Sequence, residues 1–221
     1  MANSSFSGSE NMVQETFFCD FGHKEIQSRA EELRKGKNGQ TELAKAVFDY
    51  VRDEILFGFD QYQVKASDTL QKGYGMCSNK ALVMVAFLRY LRIPSRLSHI
   101  PIRRDFLKLL WGSWYLTMAK KLNHVVAEVY LNEKWIAVDP TLDQKSYENL
   151  YLPLGIHWGI DWNGIDDSLL FKEHIAGSVE PYSDIDKALR SNADNTLPPK
   201  FILIPFLKFI NRKMWKKSGI K

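Results

Sequence analysis

Apolar positions along the chain change period several times, and each change predicts an element. From Lys24 to Lys35, Ile26, Ala30 and Leu33 recur at helical spacing, and Gly36 and Gly39 close the run. Thr41 is placed to cap a second helix reaching about Ile55, with Leu43, Val47, Tyr50 and Val51 inward. Ser67 opens a short turn or helix, SDTLQ. Gly73 and Gly75 then interrupt the chain before an apolar helix from Cys77 to about Leu91. Its expected stripe is Ala81, Leu82, Val85 and Leu88, and Pro94 bars continuation. Ser95–Ile100 reads as a strand. Residues 102–121 place a wide apolar arc on a helical wheel, broken at Gly112. Strands follow over His124–Leu131 and Lys134–Asp139. Beyond Pro140, residues 147–164 read as a packed aromatic loop. Ser183 is placed to cap the helix DIDKALRS, and Pro198 and Pro199 set off a basic tail.

Composition narrows the classes. The 221 residues are 45% hydrophobic and 13% aromatic, enough for a sizeable core. Two cysteines, Cys19 and Cys77, are too few for a disulfide framework. The first residues, MANSSFSGSEN, lack the charged start and apolar run of a secretory signal, and no stretch is long and apolar enough to span a membrane. A cytoplasmic setting is the resulting expectation. The net charge of +4 resides in the tail. Pro205–Lys221 holds six cations (Lys208, Arg212, Lys213, Lys216, Lys217, Lys221) and no acid, leaving 24 basic against 26 acidic residues elsewhere. No nucleic-acid partner is therefore expected. For the tail, docking on the domain with a solvated basic end is the first expectation, and a weak membrane-surface contact is the alternative.

The chemistry centres on one thiol. Gly73 and Gly75 permit unusual backbone just before Cys77, and the helix begins at the cysteine. Free N–H groups and the helix dipole at that end favour a thiolate and can stabilise an oxyanion. Cys19, between aromatics in TFFCDFG, reads as packing. If Asn132-Glu133 forms a two-residue turn, Leu131 pairs with Lys134 and Asp139 lies opposite Val126. His124 and Asp139 are then diagonal neighbours on one face, about 7–8 Å apart at Cα. Glu133 is an awkward residue for such a turn, which requires positive φ. No Cys/His cluster has zinc spacing, and neither a phosphate-binding loop nor a dinucleotide fingerprint occurs, so no cofactor or metal is expected.

The stretches TLQKGYGMCSNKALVMVAFLRYLRIPSR and NHVVAEVYLNEKWIAVDPT, preceded by AKAVFDYVRDEILF, together resemble the transglutaminase-like superfamily, in its small microbial form. The resemblance covers about residues 25–145. It implies an α+β, papain-like core with helices packed on an antiparallel sheet. It also implies Cys77 as nucleophile, His124 as base and Asp139 as orienting acid. Arg92 stands where that family usually carries glycine, a change expected to alter the helix end. The expected organisation is a loosely packed segment over 1–19, a catalytic core over 20–145 and an extension over 146–221 with the basic amphipathic tail. The implied activity is cysteine-dependent acyl transfer on a peptide or protein amide, as hydrolase or transferase. A catalytically silent binding module is the alternative. Gln71 and Tyr74 are candidate oxyanion donors beside the Cys77 N–H. Trp111 and Trp114 are candidate cleft residues, in a lid or in extra core. Substrate identity and oligomeric state stay open.

Overall fold

The computed structural model describes residues 13–108, 112–117, 119–191 and 200–219. In chain order these form α1 (Lys24–Arg34), α2 (Gln40–Glu54), β1 (Leu56–Phe57), α3 (Ala66–Lys72), β2 (Tyr74–Gly75), α4 (Cys77–Tyr90) and β3 (Ser95–Arg103). Then come β4 (Lys121–Leu131), β5 (Lys134–Val138), β6 (Glu180–Pro181), α5 (Ile185–Ser191) and α6 (Lys200–Lys217). The fold is α+β. An antiparallel sheet of order β5-β4-β3-β6 carries the helices on one face.

Helix α4 is the centre of the molecule. A single apolar stripe was expected, but every residue from Ser78 to Arg89 is buried. The reason is its position between two layers: α1, α2 and α3 pack on one side and strands β3 and β4 on the other. A helix enclosed in this way has no solvent face, and its sequence is apolar all round apart from a few hydrogen-bonded polar groups. Its end is a Schellman motif, in which Ile93 N–H donates to Leu88 O at 2.8 Å and Arg92 N–H to Arg89 O at 3.0 Å. Arg92 adopts φ 61°, so this end keeps the left-handed geometry a glycine would take.

The sheet separates two apolar clusters by strand alternation. Val125, Ala127 and Val129 of β4 join the helical core, while Val126 joins Ile100, Ile102, Tyr151, Leu170 and Phe171 on the other face. The hairpin register matches the expected one: Leu131 pairs with Lys134 and Ala127 with Val138. Asn132 and Glu133 both take positive φ, 49° and 63°, as a type I′ turn requires.

Several expectations change. Residues 102–121 form no continuous helix. Ile102 and Arg103 finish β3, short 3₁₀ turns follow at Arg104–Leu107 and Gly112–Thr117, and β4 opens at Lys121. Strand pairing of Ile102 with Leu122 and Arg103 with Lys121 holds the two ends side by side, so the chain between them must turn back on itself and cannot run as one continuous helix. Helix α5 is capped by Asp184, whose carboxylate accepts from Lys187 N–H at 2.9 Å, rather than by Ser183. The opening segment is not loose throughout. Phe18 and Cys19 are buried, and Asp186 accepts from the Phe17 and Phe18 N–H groups and the Thr16 hydroxyl. Residues 1–12 lie outside the described residues.

Arg92→Gly and Glu133→Gly should each raise unfolding free energy by about 0.5–1 kcal/mol, because each removes a side chain from left-handed backbone. Denaturant titration checks this. Unchanged or lower stability in both would show that the two turns carry no strain.

Candidate active site

Cys77 is the first residue of α4, and the chain before it is held by side-chain bonds. Asn79 Oδ1 accepts from Met76 N–H at 3.0 Å, and Asn79 Nδ2 donates to Gln61 O at 2.9 Å. Gly75 is required by close approach, since a Cβ there would lie 2.7 Å from Asn79 Cβ. The start of α4 is thus fixed before any ligand arrives. Cys77 is partly exposed, whereas Cys19 is fully buried and burial pushes its thiol up to about 12.

His124 lies on β4 and Asp139 one residue beyond β5, and the hairpin brings them together. His124 Nε2 and Asp139 Oδ2 are 2.6 Å apart, and both side chains are buried. Asp139 is itself held by Thr141 N–H at 3.1 Å and Leu170 N–H at 3.3 Å. Phe171 sets its ring edge-on to the imidazole, with centroids 5.2 Å apart. With Nε2 committed to the carboxylate, Nδ1 is the ring nitrogen left to face Cys77, which lines the same cavity. Burial disfavours the imidazolium, but the Asp139 charge, its hydrogen bond and the Cys77 contact outweigh that and raise His124 to about 10. Burial likewise opposes ionisation of Asp139, yet the His124 charge and the bonds from His124 and Thr141 hold it below its ordinary range.

Cys77 and His124 open onto a cavity of about 340 Å³. Its walls are mostly apolar, with Phe57, Met76, Phe106, Tyr151 and Phe171 from the body and Leu203 and Leu207 from α6. In the first turn of α4, buried Lys80 donates to Arg52 O at 3.0 Å. Burial lowers Lys80 to about 7 even though Asp143, Asp53 and Asp139 pull the other way. Asp143 Oδ2 accepts from Phe57 N–H at 2.8 Å and thereby fixes one cavity wall.

The structure brings Cys77, His124 and Asp139 into one chain. It does not bring the two proposed oxyanion donors to the cavity: Gln71 is exposed on α3, and Tyr74 packs edge-on against Trp215 with centroids 5.2 Å apart. Trp111 and the Trp114 side chain lie outside the described residues. Asn79, Lys80, Leu170 and Phe171 were not anticipated. Asn79 alone had a legible signal, as a polar residue at the third position of a helix start.

A family model for the transglutaminase-like superfamily matches residues 27–140. The chain belongs to the transglutaminase-like superfamily. Solved structures with related chain paths include a candidate cysteine protease from Cytophaga hutchinsonii at 20% identity and TM-score 0.48. That match covers 80% of this chain and 53% of the other. Red sea bream transglutaminase is 14% identical with TM-score 0.42, covering 89% of this chain and 41% of its own. A candidate protease from Parabacteroides distasonis is 10% identical with TM-score 0.38, covering 59% and 25%. This member of the superfamily therefore spans about half the length of the first of these and less of the others. No curated protein matches the chain.

The coupling has a pH signature. A raised His124 contributes stability that is whole below pH 6.5 and is lost as pH rises through about 10. A lowered Asp139 contributes stability that is whole above pH 3.8 and is lost as pH falls. The stability gap between wild type and Asp139→Asn should thus be widest between pH 3.8 and 6.5 and should narrow toward 10. NMR titration of labelled histidine should find His124 protonated through neutrality in wild type and displaced toward 6.5 in Asp139→Asn. Titration near 6.5 in both proteins would mean that the carboxylate does not govern the ring.

Proposed function

We propose that the chain is a thiol acyl-transfer enzyme acting on an amide-type bond. The observation that carries this reading is the buried Asp139–His124 pair ending at a Cys77 thiol that opens onto an apolar cavity. In the proposed cycle the imidazole enters as the cation, and Cys77 reacts as the thiolate paired with it. The Cys77 sulfur bonds to the carbonyl carbon, and the carbonyl electron pair moves to oxygen. The oxyanion lies at the N-terminus of α4, where the Cys77 N–H is available to donate. Collapse re-forms the carbonyl and expels the amine, which takes the proton from the imidazolium, leaving a thioester on Cys77. Attack by water, with His124 accepting its proton, releases an acid and restores the thiolate beside the imidazolium; attack by an amine gives transfer instead.

Asp139 acts through His124. It holds the ring by Nε2 and favours the cation formed when the thiol ionises. The walls of the cavity favour a substrate whose scissile carbonyl sits beside a bulky apolar group, since a charged group there would lose water with few partners. A peptide or protein amide with an aromatic or large aliphatic side chain is the class that fits.

Iodoacetamide labelling near pH 6.5, read by mass spectrometry, tests the thiol. Cys77 should label faster than a free thiol, with Cys19 protected in the folded protein, and His124→Ala should slow Cys77 at least about tenfold. Against fluorogenic amides with apolar rather than charged acyl side chains, Cys77→Ala should lose roughly a thousandfold or more in turnover. Unaccelerated labelling, or substrate complexes that form without any Cys77-dependent turnover, would reduce the chain to a binding module on this scaffold.

A further inference from the structure

Helix α6 has two faces with different partners. The inner face carries Leu203, Leu207, Asn211, Met214 and Trp215 at helical spacing. Asn211 Nδ2 donates to Phe59 O at 2.9 Å, its Oδ1 accepts from Phe59 N–H at 2.8 Å, and Trp215 Nε1 donates to Phe57 O at 2.8 Å. These bonds settle which way the helix faces. The outer surface keeps Phe201 76%, Phe206 53% and Phe209 55% exposed, although each would be buried in an ordinary core. Beside them stand Lys208, Arg212, Lys213, Lys216 and Lys217, all exposed. Among the described residues none of these five forms an ion pair, and Lys213 Nζ instead lies 4.5 Å from the Phe209 ring centroid. No acid occurs between residues 200 and 221.

We infer that the outer face of α6 is a binding surface for an anionic lipid bilayer. The charge is complementary to anionic headgroups, and no ion pair among the described residues neutralises it. A polyanion such as nucleic acid would satisfy the cations but leave three phenylalanines in water. An anionic bilayer accepts both, with rings at the acyl boundary and cations among the headgroups. At 18 residues the helix is about 27 Å long, and it lies along the surface; no described helix is long and apolar enough to cross a membrane. Because the inner face walls the cavity, docking sets the Cys77 cleft beside the bilayer. The surface itself does not depend on the proposed chemistry.

Co-sedimentation of the full chain tests this, using vesicles of phosphatidylcholine alone or of equal parts phosphatidylcholine and phosphatidylglycerol. Binding should require the anionic lipid and disappear as salt is raised toward about 1 M. The pair Lys213→Glu, Lys216→Glu should weaken it about thirtyfold or more, and the pair Phe201→Ser, Phe209→Ser at least about tenfold. All four positions are exposed, so circular dichroism should be unchanged. Cys77→Ala should bind like wild type, which separates this surface from the catalytic reading. No binding at low salt, or binding indifferent to the Phe substitutions, would overturn the inference. So would a dimer lost in Phe209→Ser, or equal affinity for lipid-free polyphosphate.

Discussion

The buried contact between His124 Nε2 and Asp139 Oδ2 is the constraint around which the rest of the site is arranged. A carboxylate without solvent is costly unless it is paired and its remaining oxygen capacity is used. Here the imidazole supplies the pairing, and the N–H groups of Thr141 and Leu170 supply the rest. Two consequences follow. The ring cannot turn, so its other nitrogen points where Cys77 waits. The loop carrying Leu170 is likewise not free to move away, because its N–H would leave the carboxylate short of a donor. Residues far downstream in the chain are thereby tied to the central hairpin.

Helix α4 meets that pair under a second constraint, complete burial. Enclosure between helices and sheet fixes the axis of α4, and Asn79 with Gly75 fixes its first turn. A thiol at the start of such a helix is held by the whole core instead of by local contacts. The same enclosure buries Lys80, and Asp143, Asp53 and Asp139 offset only part of the desolvation that lowers it to about 7.

Residues beyond the family-matched region complete the cavity. Arg52 bonds Ile160 O at 3.4 Å, and Trp162 packs on Phe48 with centroids 5.7 Å apart, so this segment is anchored to α2. From that anchor Phe171 reaches the imidazole and Tyr151 the cavity. Helix α6 closes another side through Leu203 and Leu207. The transglutaminase-like core supplies Cys77, His124 and Asp139, while the later segments shape the cavity onto which Cys77 and His124 open.

Local pattern was enough for much of this. Glycines ahead of an apolar run placed Cys77 at a helix start. A two-residue turn at Asn132-Glu133 set the register that makes His124 and Asp139 neighbours, because strand pairing counted from a tight turn leaves no freedom. Other features had no local signature. Residues 102–121 carry a helical apolar period, but their two ends are paired side by side in the sheet, so tertiary pairing overrode it. Leu170 and Phe171 reach the site through the folding of a long irregular segment, and an N–H donor leaves no mark in a sequence. The outward aromatic face of α6 also became visible only once Asn211 was seen to fasten the helix to Phe59. The chain alone determined the helix start at Cys77 and the pairing of His124 with Asp139, since these follow from periods of two and 3.6 residues. Only the tertiary structure decided which groups are dry, which charges are neutralised and which surfaces remain for a partner, because each depends on atoms brought together from distant parts of the chain.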